Sequence, residues 1–519
     1  MVQKNRGRRI NRKEFMDKKT LTQLTKQHSV LGAISACILT IVFVCGSLLF
    51  FRGQLLNWQF AWQQDNQLER AMSWQSAVTD LTETVPDFVN QRITLTTDPQ
   101  HTHLFQIYVG HDDRLLYNNQ TQQLFGQDSA QQAASDFLYF WHINFTTHIG
   151  TDIIALACIF LIMVTISGIW IRWKDLVKKF HQYRAKGKSR DVFKDSHVLL
   201  GLGVLLFMLM YGWSSAYFNV GYEINGPVYH EYAKKSGESY WDELGFPRKP
   251  DNYDMDAVLT AERLNQIITD YQQAYPEMRI ARFDIYPRPW VRLRVSGESD
   301  RSFEFVTAFY DVHGNLLYEP ERKPLNDVYN IMVQLHEGHL LGKSSHLLYF
   351  VLSMMAIAAM LIGNLYWLAI REPKRAGQTV FKLQRFCLEA GTCGALLAVA
   401  LLLVCTRLFS QGEPLLVMTN QLIIILSLLG CGFLTLYFKQ AKDSAHAVLQ
   451  GAGVLFLLLP LIDVIRLALG HELYSFVSRD MLTVNIAFFA LSCLSFGLAT
   501  VVVRVSDKVK KRSIELEPA

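Results

Sequence analysis

Gln27-His28-Ser29-Val30-Leu31-Gly32 opens one long apolar run, and Ser196-His197-Val198-Leu199-Leu200-Gly201 opens another. Each string sets a histidine at the basic edge of a stretch long enough to cross a bilayer, with a glycine one helical turn further in. Two looser counterparts exist: Trp141-His142 precedes the run after the first, and Leu335-His336-Glu337-Gly338 precedes the run after Gly201. Runs of this length read as helices, because lipid gives the backbone no hydrogen-bond partners.

A span takes about 20 apolar residues. Eight stretches of the 519-residue chain qualify: Ser29–Phe51, Gly150–Ile171, His197–Phe218, Leu347–Ile370, Phe386–Leu408, Leu415–Phe438, Ala447–Leu469 and Thr483–Val503. The chain is 50% hydrophobic and 19% charged, and its apolar residues are clumped rather than periodic. The expected fold class is a polytopic α-helical membrane protein of about eight spans. Two large segments, about 52–149 and about 219–346, stand between spans as separate α+β domains.

Lysine and arginine set the expected orientation. They crowd the tail 1–28, the connection 172–196, the loop 371–385 and the tail 504–519, which all fall on one side if eight spans hold. Both termini are then cytoplasmic and the two large segments external. The net charge of +5 reflects this topology and implies contact with lipid headgroups, not with nucleic acid. The first run is too long for a cleaved signal and lacks a small-x-small site, so it reads as an uncleaved anchor. All eight cysteines fall in apolar runs, which leaves no disulfide framework and no cysteine metal site.

The four histidines carry the chemistry. With this topology His28 and His197 share one side of the membrane, and His142 and His336 share the other. Each side then offers two imidazoles from different helices, the donor set of a bis-histidine haem. Two b-type haems stacked across the bilayer would conduct electrons through it. Gly32 and Gly201, at i+4 from their histidines, would let a porphyrin lie close to the helix; the residue at i+4 from His142 is Thr146, so that side is less cleared. The bland alternative is that these histidines only rest at the membrane interface. His148, His339 and His346 are alternative ligands or neighbours on the external side. His101, His103 and His111 lie in the first external segment, where His101 and His103 alternate on a candidate strand without an evident third ligand; His230, His313, His446 and His471 read as loop or helix-end residues. Asp463 and Arg466, at i and i+3, read as a local ion pair, with Glu389 and Arg407 snorkelling from the ends of the fifth span.

The second large segment has a readable core. Met255–Ala274 has helical periodicity, Arg279–Tyr286, Trp290–Ser296 and Phe303–Tyr310 alternate as strands, and Asp311-Val312-His313-Gly314-Asn315 makes a turn leading into Leu316–Tyr318. The first is fainter, with a helix in Gln67–Glu83 and strands at Arg92–Thr96, Phe105–Val109 and Arg114–Tyr117. Taken with His28–Gly32, Phe137–His142 through Ser167-Gly168-Ile169-Trp170, Asp195–Gly201 and Leu335–Gly342, this order resembles the PepSY-associated transmembrane helix family over roughly residues 20–372. Trp141 and Ser196 stand where that family usually has leucine before the histidine. The resemblance implies four spans alternating with PepSY-like periplasmic domains. Its characterised members include inner-membrane ferric-siderophore reductases with two b-type haems, and many accompany iron uptake. It does not cover the last four spans, about 386–503.

No Gly-x-Gly-x-x-Gly after a strand, P-loop or Gly-x-Ser-x-Gly is present, and the cytoplasmic loops are too short for a flavin or nicotinamide domain. The leading expectation is therefore a di-haem oxidoreductase that takes electrons from quinol or a cytoplasmic reductase. It would pass them through His28/His197 and then His142/His336 to a ferric siderophore or chelate held between the two external domains. A haem-free binding or regulatory protein is the first alternative. A permease, with a path around Asp463 and Arg466, is the second.

Overall fold

The computed structural model describes residues 17–60, 73–85, 88–97, 104–110, 113–119, 121–125, 131–173, 184, 189–236, 259–286, 292–299, 305–318, 324–339, 343–409, 415–470 and 475–514. His101, His103, His111, His471, Gly342, the first sixteen residues and most of the basic connection after the second span lie outside the described residues.

The first half of the chain runs α1 (Lys18–Leu49), α2 (Arg52–Phe60), α3 (Trp74–Thr84), β1 (Ile93–Thr96), β2 (Leu104–Val109), β3 (Asp113–Asn118), β4 (Gln123–Phe125), β5 (Gln131–Gln132), α4 (Ala134–Asn144) and α5 (His148–Arg172). The second repeats that plan: α6 (Ser189–Gly203), α7 (Leu205–Ser236), α8 (Ala261–Ala274), β6 (Met278–Tyr286), β7 (Arg292–Ser299), β8 (Phe305–Tyr310), β9 (Leu316–Tyr318), α9 (Pro324–Glu337) and α10 (Lys343–Arg375). The remainder is α11 (Thr379–Gly391), α12 (Cys393–Phe409), β10 (Leu415–Leu416), α13 (Val417–Tyr437), α14 (Ala441–Ala468) and α15 (Ser475–Ile514).

Among the described residues, six helices are long and apolar enough to cross a membrane, and eight spans result if each of two bent pairs counts as one. The expected third span breaks by 66° between α6 and α7, directly after Gly201-Leu202-Gly203, where two glycines weaken the helix. Its second part continues to Ser236, well past the expected end at Phe218. The expected fifth span bends by 41° between α11 and α12. Gly391 closes α11 there, and a Cβ on it would stand 2.3 Å from the Cys37 carbonyl oxygen, so the missing side chain lets this elbow press on the backbone of α1.

The two large segments do not form separate domains. Their strands make one eight-stranded antiparallel sheet in the order β4-β3-β2-β1-β6-β7-β8-β9. The halves join where Ile93 pairs with Ile285 and Leu95 with Phe283. Alone, each half would leave an open edge strand with unpaired backbone groups; pairing β1 with β6 removes both edges. One face carries Ile93, Leu95, Phe105, Ile107, Phe283, Ile285, Leu293 and Val295 against α3 and α8. The Trp74 indole donates to the Ile280 carbonyl at 3.0 Å, so the helix of one half also grips a strand of the other. Thr260 caps α8 by accepting from the Arg263 N–H. In the Asp311–Asn315 turn the Asp311 carboxylate accepts from the His313 and Asn315 N–H groups, and Gly314 takes a φ of +83°.

The opposite face of the sheet is polar and turns toward the helices. Asp284 is buried there, accepting from Arg282 (2.8 Å), Arg294 (2.7 Å) and the Thr94 hydroxyl (2.6 Å). Burial pushes its carboxyl up, but the two guanidiniums outweigh burial and hold it below the usual carboxylate range. A lowered folded-state pKa contributes stability that is fully present above the unfolded value of about 3.9 and is lost as pH falls through the folded value. The thermal stability of the sheet is accordingly expected to fall below about pH 4, and less steeply after Asp284→Asn.

Of the last five helices, α11 and α12 pack on α1 and α15 packs on α2, and the group holds two buried ion pairs at opposite ends. Asp463 does not pair with Arg466. It takes Arg407 Nε at 2.6 Å, the Trp58 indole at 2.8 Å and the Asn485 amide at 2.9 Å, while Arg466 donates to the Arg407 carbonyl. A carboxylate this buried needs every lone pair met, which a single i, i+3 neighbour cannot do. Glu389 and Arg407 likewise do not snorkel. Glu389 is buried with Arg385 at 2.7 Å and the Ser444 hydroxyl, and Arg407 lies over the Trp58 ring.

Candidate functional site

The structure brings the four histidines together as two couples. The His28 ring on α1 and the His197 ring on α6 have centroids 6.3 Å apart, inclined by 69°. His142 on α4 and His336 on α9 are 5.9 Å apart, inclined by 49°. The second couple sits at the sheet-proximal end of the bundle and the first at the sheet-distal end. Gly46, which abuts His142, lies 18 residues beyond His28 on α1, about 27 Å of helix and close to the thickness of a hydrocarbon core.

His142 and His336 do not head the spans themselves. Each lies near the end of a short helix that precedes a span. α4 stops at a left-handed turn, Phe145 (φ 49°) and Thr146 (φ 61°), and α9 stops at Gly338 (φ 78°).

One device seats the rings. His28 Nδ1 is 3.0 Å from the Val164 carbonyl, His197 Nδ1 is 2.9 Å from the Ala359 carbonyl, and His142 Nδ1 is 2.9 Å from the Val42 carbonyl. A carbonyl only accepts, so each Nδ1 carries the proton and Nε2 keeps its lone pair. Four residues beyond each carbonyl stands a glycine: Gly168, Gly363 and Gly46. A Cβ there would meet His28 Cε1 at 3.2 Å, His197 Cε1 at 2.9 Å and His142 Cε1 at 2.7 Å. The fourth ring has a variant of this seat. Ser214, four residues after Met210, donates its hydroxyl to the Met210 carbonyl and accepts from His336 Nδ1, both at 2.9 Å. Tyr211 and Phe218 flank that ring at 4.8 and 5.5 Å. Among the described residues, no hydrogen bond occupies Nε2 of any of the four.

These couples fit a bis-histidine haem. A metal–imidazole bond of about 2 Å on each side, plus about 1 Å from nitrogen to ring centre, separates the two centroids by about 6 Å. No third histidine, cysteine, aspartate or glutamate joins either couple to hold a metal among the described residues. Two ligands are too few for a protein-only metal centre, whereas a porphyrin brings its own four in-plane donors.

The glycines expected to clear space are not the ones that touch the rings. Gly32 faces α5, where a Cβ would sit 3.7 Å from Val164 Cγ1; it serves the approach of two helices. A Cβ on Gly201 would meet no atom within 4 Å. The clearing glycines lie on neighbouring helices, which spacing from a histidine along its own helix does not reach. His148 is exposed at the start of α5. His339 and His346 face each other at 5.2 Å, His339 near Glu337 and His346 stacked on Phe50, beside the sheet-proximal couple rather than in it.

The repeated plan of span, half-sheet, short histidine helix and span therefore builds two equivalent imidazole couples in one bundle. No curated protein matches the chain. The sequence profile described as PepSY-associated TM region matches residues 25–369, which takes in all four histidines and both halves of the sheet. The chain is a multi-pass membrane protein and belongs to the PepSY-associated transmembrane region family.

Proposed function

We propose that the protein is an inner-membrane oxidoreductase that moves electrons through two b-type haems to a periplasmic ferric siderophore or similar chelate, releasing iron for uptake. The observation that carries this reading is the pair of facing imidazole couples at opposite ends of α1, each with Nε2 held ready as a ligand. Bound haem supplies a one-electron couple at each level. His28 and His197 would hold one from its two faces, and His142 and His336 the other. The carbonyls of Val164, Ala359 and Val42 fix the tautomer of their rings and make Nε2 a better donor. Apolar helices exclude water from the path between the couples. A quinol or a separate cytoplasmic reductase would supply the electrons.

An acceptor site between two external domains has no counterpart in a single continuous sheet. The acceptor would instead lie between the polar face of the sheet, with Arg282 and Arg294, and the helices below, where Tyr139 of α4 and Tyr329 of α9 lie within electrostatic reach of Arg282. The permease alternative gains nothing from the geometry, because Asp463 is held by Arg407, Trp58 and Asn485.

The test is electron transfer in vesicles. Reconstituted protein given a reduced quinol is expected to form ferrous iron from an added ferric chelate, captured by a ferrous-specific chelator. Gly363→Val, which drives a methyl into His197, should cut that rate at least tenfold. Ferrous iron formed equally fast by empty vesicles, or by the variant, would refute the proposal.

A further inference from the structure

The two couples differ in the residues that continue their seats along the helices. Positions i, i+4 and i+8 share a helical face. On α5 the stripe runs Val164, Gly168, Arg172; on α10 it runs Ala359, Gly363, Trp367, Arg371. The stripes that seat the sheet-proximal couple run Val42, Gly46, Phe50 and Met210, Ser214, Phe218. The sheet-distal stripes thus reach arginine, Arg172 at the third position and Arg371 one turn past Trp367, where the other two hold phenylalanine at the third position.

Arg371 is held in place by neutral groups. It donates to the hydroxyl of Ser29, next to His28, at 3.2 Å, and to the Trp367 carbonyl at 3.2 Å, and its guanidinium lies 3.9 Å from the centre of the Trp367 ring. Arg172, four residues past the glycine under His28, lies within electrostatic reach of both His28 and His197. Neither arginine makes an ion pair among the described residues. Two half-buried guanidiniums that meet no carboxylate among the described residues, placed on the two stripes that seat one imidazole couple, make a site for a dianion.

We propose that Arg172 and Arg371 form an anion clamp that binds the two carboxylates of a tetrapyrrole held between His28 and His197, and so orients it with its acidic edge away from the sheet. This rests on the haem reading above. The sheet-proximal couple has no such clamp on its stripes, so its ligand would be held by the imidazoles and apolar packing. Lipid phosphates present the same chemistry to an arginine, so the test must separate the two sources.

The experiment uses the full chain with His336→Ala, which retains only the sheet-distal couple, purified without haem and titrated with haemin or with haemin dimethyl ester while Soret absorbance is recorded. The clamp predicts that haemin binds at least tenfold tighter than its ester, and that Arg172→Gln with Arg371→Gln removes this preference and lowers haemin affinity at least tenfold. Arg172→Lys with Arg371→Lys, which keeps both charges, should restore part of the preference. Equal binding of haemin and ester by the parent, or unchanged haemin affinity in the glutamine variant, would assign these arginines to lipid phosphates and overturn the clamp. A parent that binds neither form would overturn the function proposed above and the clamp with it, and this result is visible before any arginine is changed.

Discussion

Replacing His336 with alanine is expected to halve the haem content of the purified protein and to reduce electron transfer across vesicle membranes to the background rate. His336 faces His142 at 5.9 Å and is seated by Ser214, Tyr211 and Phe218. Its loss would leave one imidazole where bis-histidine ligation of a haem needs two. The sheet-distal couple is built from other helices, so one haem should remain, with an unshifted Soret band. His197→Ala should give the reciprocal result, with the sheet-proximal haem retained. The proposed path runs through both couples in series, so either variant alone should stop transfer. Pyridine haemochrome quantitation and the vesicle assay read the two effects separately. Retention of full haem content in both variants would mean that the four imidazoles are interface residues and nothing more.

Arg407→Ala is expected to destabilise the helical bundle by about 3–5 kcal/mol, because it strands Asp463 as a buried, uncompensated carboxylate. Arg407 also donates to the Trp58 carbonyl at 2.5 Å, so the same change loosens α2 from the last helices. Arg407→Gln combined with Asp463→Asn removes both charges together and should cost much less. Arg466→Ala should have a small effect, since Arg466 is not the partner of Asp463. Thermal unfolding in detergent, monitored by tryptophan fluorescence of Trp58 and its neighbours, orders the three variants. A loss in Arg466→Ala as large as that in Arg407→Ala would contradict the pairing described.

Much of this architecture is legible in the chain because its signals are local. Apolar runs show the helices, strand alternation around Phe283 and Val295 shows the sheet, and counting spans assigns His28 and His197 to one side and His142 and His336 to the other. The features that sequence does not show depend on contacts remote along the chain. Thr94 and Asp284, which meet across the seam of the sheet, are 190 residues apart, and nothing in either strand shows that its edge is taken by the other. The glycines beneath the rings belong to helices other than those bearing the histidines; only a comparison of Val42–Gly46, Val164–Gly168 and Ala359–Gly363 as one recurring spacing could have exposed them. Asp463 and Arg466 satisfy a helical ion-pair spacing, yet burial favoured Arg407 from a different helix. The bend after Gly203 has a visible signal in two close glycines, although apolar content alone reads through it.

The most direct test of the account is the haem content and the reduced-minus-oxidised visible spectrum of the purified, unmodified protein. Two b-type haems per chain, with the α band of bis-imidazole ligation, is the result predicted from two couples of facing imidazoles. A protein expressed with ample haem that carries none, or whose spectrum is unchanged by dithionite, would contradict it.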